Sequence, residues 1–279
     1  MTTMTTSDHS GADQRDPVIR HARGGSLGTF GALLLRDVYV TWAELPIFVM
    51  HMVVQPFFTL FVFGTVLNGI GLVSLTFERI LLPGVLAMAV FVTAAQNTAL
   101  GLAVDFAMDR EIEDRLMAPV ATMVVALEKV VYGALRGLAA GIIMAPIGLL
   151  ILNGVYWSPS ALPAALGVMS LGALVGGALG LLVGTLAPPR HIGSFFVAGV
   201  MPLMFTGAAQ FPFLGLDHLR WFQVIVALNP LTYISEGMRS LLVPEVHSIP
   251  LWIDLPVLVV AGAALLVAGT ACFRRRAQD

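Results

Sequence analysis

Two short stretches hold most of the groups in this chain that could do chemistry. The first is residues 105–119, DFAMDREIEDRLMAP, dense in charge and closed by a proline. Residues 106–117 suit a helix of about three turns. Glu111 and Arg115 stand four apart in the order that favours pairing on a helix. Phe106, Ile112, Leu116 and Met117 add apolar contacts. A charged helix between apolar segments is usually a solvated connection, but this mixture also suits docking onto another protein.

The second stretch begins at Asn229-Pro230. Asn is a good N-cap and Pro fits the first helical turn, so the pair predicts a helix start. Tyr233 and Glu236 then fall near one face, and Glu236 and Arg239 are three apart. Exposed, such a pair contributes about 0–1 kcal/mol. Buried, it fixes the position of its helix, and that structural role is preferred here over substrate binding.

Other chemistries fail on missing parts. A phosphate-binding loop needs G-x-x-x-x-G-K-[ST]. The chain's one lysine, Lys129, sits between Glu128 and Val130, so this chain is not expected to hydrolyse ATP by that route. Carriers driven by protons or ions place acids or histidines deep in their spans. Here the span interiors offer His51, Gln55, Gln96 and Asn97, with no acidic residue expected among them. His51 is read as a packing contact. An intramembrane serine protease would need a base to partner Ser194, and the last apolar run contains no histidine. The single cysteine, Cys272, forms no intrachain disulfide and makes a cysteine metal site unexpected. No metal and no cofactor is expected in this chain.

The elements that must position these groups follow from composition. Of 279 residues, 57% are hydrophobic and 11% charged, against about 25% charged in soluble domains. Mean hydropathy is +0.87. That leaves too little polar surface to cover a globule in water, and it fits helices in lipid. The net charge of -2 points to no nucleic-acid partner. About 20 apolar residues cross a bilayer core. Runs of that kind lie at 45–67, 80–104, 130–152, 164–186, 195–214 and 251–272, about six spans. Gly172, Gly176, Gly180 and Gly184 form a row suited to close helix packing. Pro202, Gly207 and Pro212 interrupt the fifth run, which is expected to be broken or re-entrant.

The expected organisation is all-α and polytopic. Residues 1–25 lack an apolar signal core and are expected to be a disordered arm. Residues 26–44 place Leu27, Phe30, Leu34, Val38 and Trp42 on one stripe, as in an amphipathic helix on a membrane surface. Residues 45–272 form the membrane domain, and 273–279 form a basic tail. Arginines crowd the N-terminal arm, the 105–129 break, residue 190 and the tail, so both termini are expected in the cytoplasm. Arg79, Arg220 and Arg239 fall on the other side. Arg136, two turns into the third span, is read as snorkelling, with a place on a permeation path as the alternative.

Asp109-Arg110-Glu111 followed by Leu116-Met117-Ala118-Pro119 resembles the segment between the second and third spans of ABC-2 type permeases, the membrane subunits of exporters. The family's usual Gly-Thr is replaced by Ile112-Glu113. Pro202, Thr206-Gly207 and Phe211-Pro212 resemble that family's fifth-span pattern. Asn229-Pro-Leu-Thr-Tyr233, Glu236 and Arg239 resemble its most specific motif.

The resemblance implies a coupling helix built from Asp109, Arg110, Glu111, Asp114, Arg115, Leu116 and Pro119 that docks on a separate nucleotide-binding ATPase subunit. ATP and Mg would be bound by that partner. It also implies a short outer helical hairpin that partly re-enters the membrane. A second permease chain, in a homodimer or a heterodimer, would complete the pathway, lined in part by spans two and five. The setting would be the bacterial cytoplasmic membrane, in contact with lipid. The cargo would be a drug, lipid, polyketide or lipid-linked glycan moved outward, with relevance to antibiotic resistance. A channel, secondary carrier or scaffold not coupled to ATP is the competing expectation.

Overall fold

The computed structural model of the chain describes residues 30, 31, 34, 35, 45–107, 122–152 and 155–276. The described residues form eight α-helices and no strand. α1 is Leu45–Leu60, prolonged by a wider π-helical turn at Phe61–Val66 and by Leu67–Gly69. α2 is Leu75–Ala107, α3 Thr122–Ile151 and α4 Leu162–Leu186. α5 is Ile192–Thr206, α6 Arg220–Ala227, α7 Pro230–Leu242 and α8 Leu251–Arg276.

Five helices are long and apolar enough to cross a membrane: α1 with its extension, α2, α3, α4 and α8. The protein is therefore a multi-pass membrane protein. The sixth expected span is shorter than its apolar run. α5 has 15 residues, about 22 Å at the helical rise, against about 30 Å of hydrocarbon. It runs through Pro202 and stops at Gly207, and the chain to Phe211 is a series of bends.

α2 is the centre of the bundle. Its spanning window is 78% buried, against 11% for α8, although both are long and apolar enough to cross a membrane. The difference comes from small residues that let neighbours close in on α2. A Cβ at Gly176 would lie 2.4 Å from the Phe91 carbonyl oxygen, and one at Gly180 would lie 2.3 Å from that of Ala95. α4 therefore meets α2 backbone to backbone along the row that the sequence suggests. Lipid tails are as apolar as leucine, so such close packing is what holds helices together in a membrane. From the other side, a Cβ at Gly137 of α3 would come within 2.5 Å of the Val90 carbonyl oxygen. Phe91, Leu81, Leu82, Leu86 and Met144 fill the core between these helices.

The two ends of the bundle differ in charge. At one end Lys129 Nζ lies 3.5 Å from Asp105 and 3.7 Å from Glu128. This ties the last turn of α2 to the first turns of α3, the two ends of the segment between them. The helix of α8 continues through the basic residues Arg274, Arg275 and Arg276, four residues past the expected end of the span at 272. The Arg276 guanidinium donates to the Thr185 and Ala187 carbonyl oxygens at the end of α4 and lies 4.2 Å over the Phe106 ring. Cations suit a helix C-terminus because the last carbonyls there are unpaired. At the opposite end, Arg79 pairs with Glu245 at 3.1 Å, and Asn68 donates to Glu78.

Candidate functional site: the helical hairpin and its seat

α6 and α7 form a hairpin at the Arg79 end. α7 starts where the Asn-Pro signal places it. Asn229 Oδ1 accepts from the Leu231 N–H at 3.0 Å, a side-chain N-cap, and Pro230 occupies the first turn. Thr232 Oγ1 donates to the Val226 carbonyl oxygen at 2.6 Å and Tyr233 OH to that of Ala227 at 2.7 Å. These two bonds tie α7 to the last turn of α6. Trp221, Val224 and Ile225 of α6 and Leu228 just after it are exposed, a placement that suits an aromatic and aliphatic face at a membrane interface.

α7 is seated inside the end of the bundle, against α2, α4 and α8. Ile234 lies over Gly172, where a Cβ would meet its Cγ2 at 2.8 Å. Glu236 and Arg239 are both fully buried. Arg239 Nη1 donates to Glu236 Oε1 at 2.7 Å, Nη2 to the Ala209 carbonyl oxygen at 2.8 Å and Nε to that of Ile80 at 3.1 Å. Glu236 accepts further from the Phe213 N–H at 3.0 Å and the Ile249 N–H at 3.3 Å. One ion pair thus fastens α7 to α2, to the turn after α5 and to both linkers that flank the hairpin. An ion pair held away from water depends on such additional bonds to offset desolvation.

The turn after α5 is shaped to meet this pair. Gly207 is pressed by Leu231, with a Cβ there falling 2.4 Å from Leu231 Cδ2. Ala208 takes a left-handed φ of 49°, a strained choice for a residue with a side chain. The result turns the Gly207 carbonyl towards Ser235 Oγ at 3.2 Å and the Ala209 carbonyl towards Arg239. On α2, Gly84 leaves the room this approach needs, since a Cβ there would sit 1.9 Å from the Ala209 oxygen.

Pro202, Thr206, Gly207 and Pro212 are thereby brought against Asn229, Glu236 and Arg239. Asn229 Nδ2 donates to the Leu203 carbonyl oxygen at 2.7 Å and to Thr206 Oγ1 at 3.0 Å. Thr206 Oγ1 in turn donates to the Pro202 carbonyl oxygen at 2.9 Å. Phe211 sits further out, its ring 6.0 Å from that of Phe222. Tyr233 is half-buried and its hydroxyl is bonded within the hairpin.

The expected coupling residues Asp109, Arg110, Glu111, Asp114, Arg115, Leu116 and Pro119 lie outside the described residues. So do the arm 1–25 and most of 26–44, of which residues 30, 31, 34 and 35 are helical. The His51 side chain is also outside them. Arg136 Nη1 donates to Asn97 Oδ1 at 2.7 Å, and its guanidinium lies 5.4 Å from the Tyr132 ring centroid. It is therefore engaged within the bundle at α2, a contact that pure snorkelling does not supply.

The expectation that no acid enters a span needs correction. Asp254 stands in the first turn of α8 and its side chain is fully buried. Sequence position places it near the water boundary, but the seated hairpin covers it. Its signal was an aspartate within an otherwise apolar run. Ile80, Gly84 and Ile249 also escaped the sequence reading. Ile80 and Ile249 act through backbone groups and Gly84 through the absence of a side chain, which no side-chain motif encodes.

Among curated proteins none matches the chain. The family model for ABC-2 type transporters matches residues 29–243, a stretch that contains the helix row, the turn after α5 and the whole hairpin. This chain belongs to the ABC-2 type transporter family and is a membrane component of such a transporter.

Proposed function

We propose that the chain is the permease subunit of an ABC exporter, driven by a separate ATPase and working as a pair of permease chains in a bacterial cytoplasmic membrane. The observation that carries the reading is the family match over residues 29–243, joined to a chain whose one lysine lies outside any phosphate-loop pattern. The ATPase would dock on Asp109–Pro119. In support, the flanks of that segment are tied by Lys129 and Asp105 at 3.5 Å, so a push on it reaches α2, the central helix, directly. With the arginine-rich end in the cytoplasm, the hairpin faces outward.

Five spans in one chain are few for an enclosed pathway, and we place the route between two chains. α5 leaves Phe195, Val197, Met201 and Phe205 exposed. α2 is exposed along Gln96, Leu100 and Val104, one helical stripe. These faces support a seam between two chains at spans two and five, where an amphipathic cargo would pass by alternating access as the halves rock. The protein itself makes and breaks no covalent bond.

The test is the double substitution Glu111→Lys with Arg115→Glu in the complex reconstituted with its ATPase. It keeps pairing within a helix but rewrites the face shown to a partner. Folded yield is expected to hold, because exposed substitutions usually stay within about 0.5 kcal/mol, while stimulated ATP hydrolysis and transport fall at least tenfold. Parent-like ATPase binding and stimulation would remove the docking assignment. Failure of any ATPase to co-purify with the parent would favour a channel, carrier or scaffold.

A further inference from the structure

The last membrane helix begins with an acid that takes part in no hydrogen bond among the described residues. Asp254 is fully buried, and neither of its carboxyl oxygens takes part in a hydrogen bond. It lies under α7, since a Cβ at Gly237 would be 3.6 Å from Asp254 Oδ2. The titratable groups that face it are Tyr233 and Glu236, both from α7. The Tyr233 hydroxyl is committed to the Ala227 carbonyl. The three nitrogens of Arg239 donate to Glu236, Ala209 and Ile80, and none bonds Asp254.

Among the described residues, the other helices packed on α8 supply no charge there. α4 has no titratable residue, and α3 has none after Arg136. Glu245 and His247 of the linker before α8 are exposed. Glu236 therefore holds the α7 guanidinium, and Asp254 is left with no donor among the described residues. A carboxylate buried without donor or cation is costly enough that such groups take up a proton instead.

We propose that Asp254 is a proton-binding site, loaded while the hairpin is seated over it and emptied when α7 lifts and lets water in. The seated state then holds one proton more than the lifted state. An aspartate in water loses its proton above about pH 4. Seating is therefore favoured at low pH, and lifting grows easier as pH rises, by up to about tenfold per pH unit, the limit for one proton released. The direction follows from which state keeps the proton. In a transporter this links the hairpin to the acidity of the compartment it faces.

Hydrogen exchange on the full-length protein in lipid nanodiscs tests the link. The probes are peptides that contain Phe213 and Ile249, whose N–H groups Glu236 holds. Parent and Asp254→Asn are compared at each pH, so that the ordinary pH dependence of exchange chemistry cancels. Relative to the variant, hairpin opening in the parent is expected to climb by several-fold per pH unit above pH 5. A ratio that stays constant with pH overturns the proposal. Infrared difference spectra of the parent supply a second measurement that survives a poorly folding variant. A protonated carboxyl band at neutral pH that shifts with isotope-labelled aspartate is expected, and its absence overturns the proposal. Neither readout needs transport or an ATPase, so this inference stands or falls apart from the exporter reading.

Discussion

Asn229 Nδ2 donates to Thr206 Oγ1 at 3.0 Å, while Asn229 Oδ1 caps α7 through the Leu231 N–H. One buried amide thus starts the hairpin helix and anchors it to the last turn of α5. The two motifs it joins are separated by 23 positions in the chain. Neither lone group on this amide could do both, because the cap needs an acceptor and the anchor needs donors.

Asn229→Ala removes cap and anchor together. A lost cap costs about 0.5–2 kcal/mol, and a lost buried hydrogen bond about 1 kcal/mol more. Thermal unfolding in detergent is expected to show a loss of about 1.5–3 kcal/mol. Asn229→Asp keeps the acceptor without the donors and should fall between parent and alanine. If the aspartate variant matched the alanine variant, the cap would contribute nothing.

Glu236→Ala leaves Arg239 buried without its counter-ion. Removing one member of a buried pair costs about 3–5 kcal/mol. Folded yield and detergent stability should therefore drop sharply, with the cargo range of any protein that survives unchanged. Size-exclusion yield and a transport panel measure the two separately. Normal yield with an altered cargo range would make Glu236 a substrate contact.

Two glycines on α4 should respond in opposite ways. Gly180→Ala puts a Cβ 2.3 Å from the Ala95 carbonyl oxygen, whereas Gly167 has nothing within 4 Å. Overpacking costs about 1–3 kcal/mol, but alanine in an open helical position is favoured over glycine by about 1 kcal/mol. Melting temperatures should fall for the first and hold or rise for the second. Equal responses would mean that α4 does not meet α2 at this distance.

The proposed orientation can be read by labelling. In a Cys272→Ser background, cysteines at Ala12 and Gln278 should resist a membrane-impermeant thiol reagent in intact cells. A cysteine at Ser158, exposed in the turn before α4, should react. The reverse pattern would invert the protein in the membrane and put the hairpin on the cytoplasmic side.

The sequence by itself determined the membrane class, the rough limits of five long helices and the start of α7, though it counted the broken α5 run as a sixth span. Each rests on information local in the chain: apolar run length, glycines four apart, and an Asn-Pro cap signal. It also marked the family motifs that the match over residues 29–243 contains. Tertiary structure decided what those motifs are for each other. Arg239 reaches Ile80 across 159 positions and Ala209 across 30, and such pairings follow from which helix faces meet. That α2 and not α8 is central could not come from hydropathy, since both are apolar. It depends on where small residues permit backbone contact. The burial of Asp254 was hidden for the same reason. An acid one turn inside a span can reach water unless another part of the chain covers it, and here the seated hairpin does so.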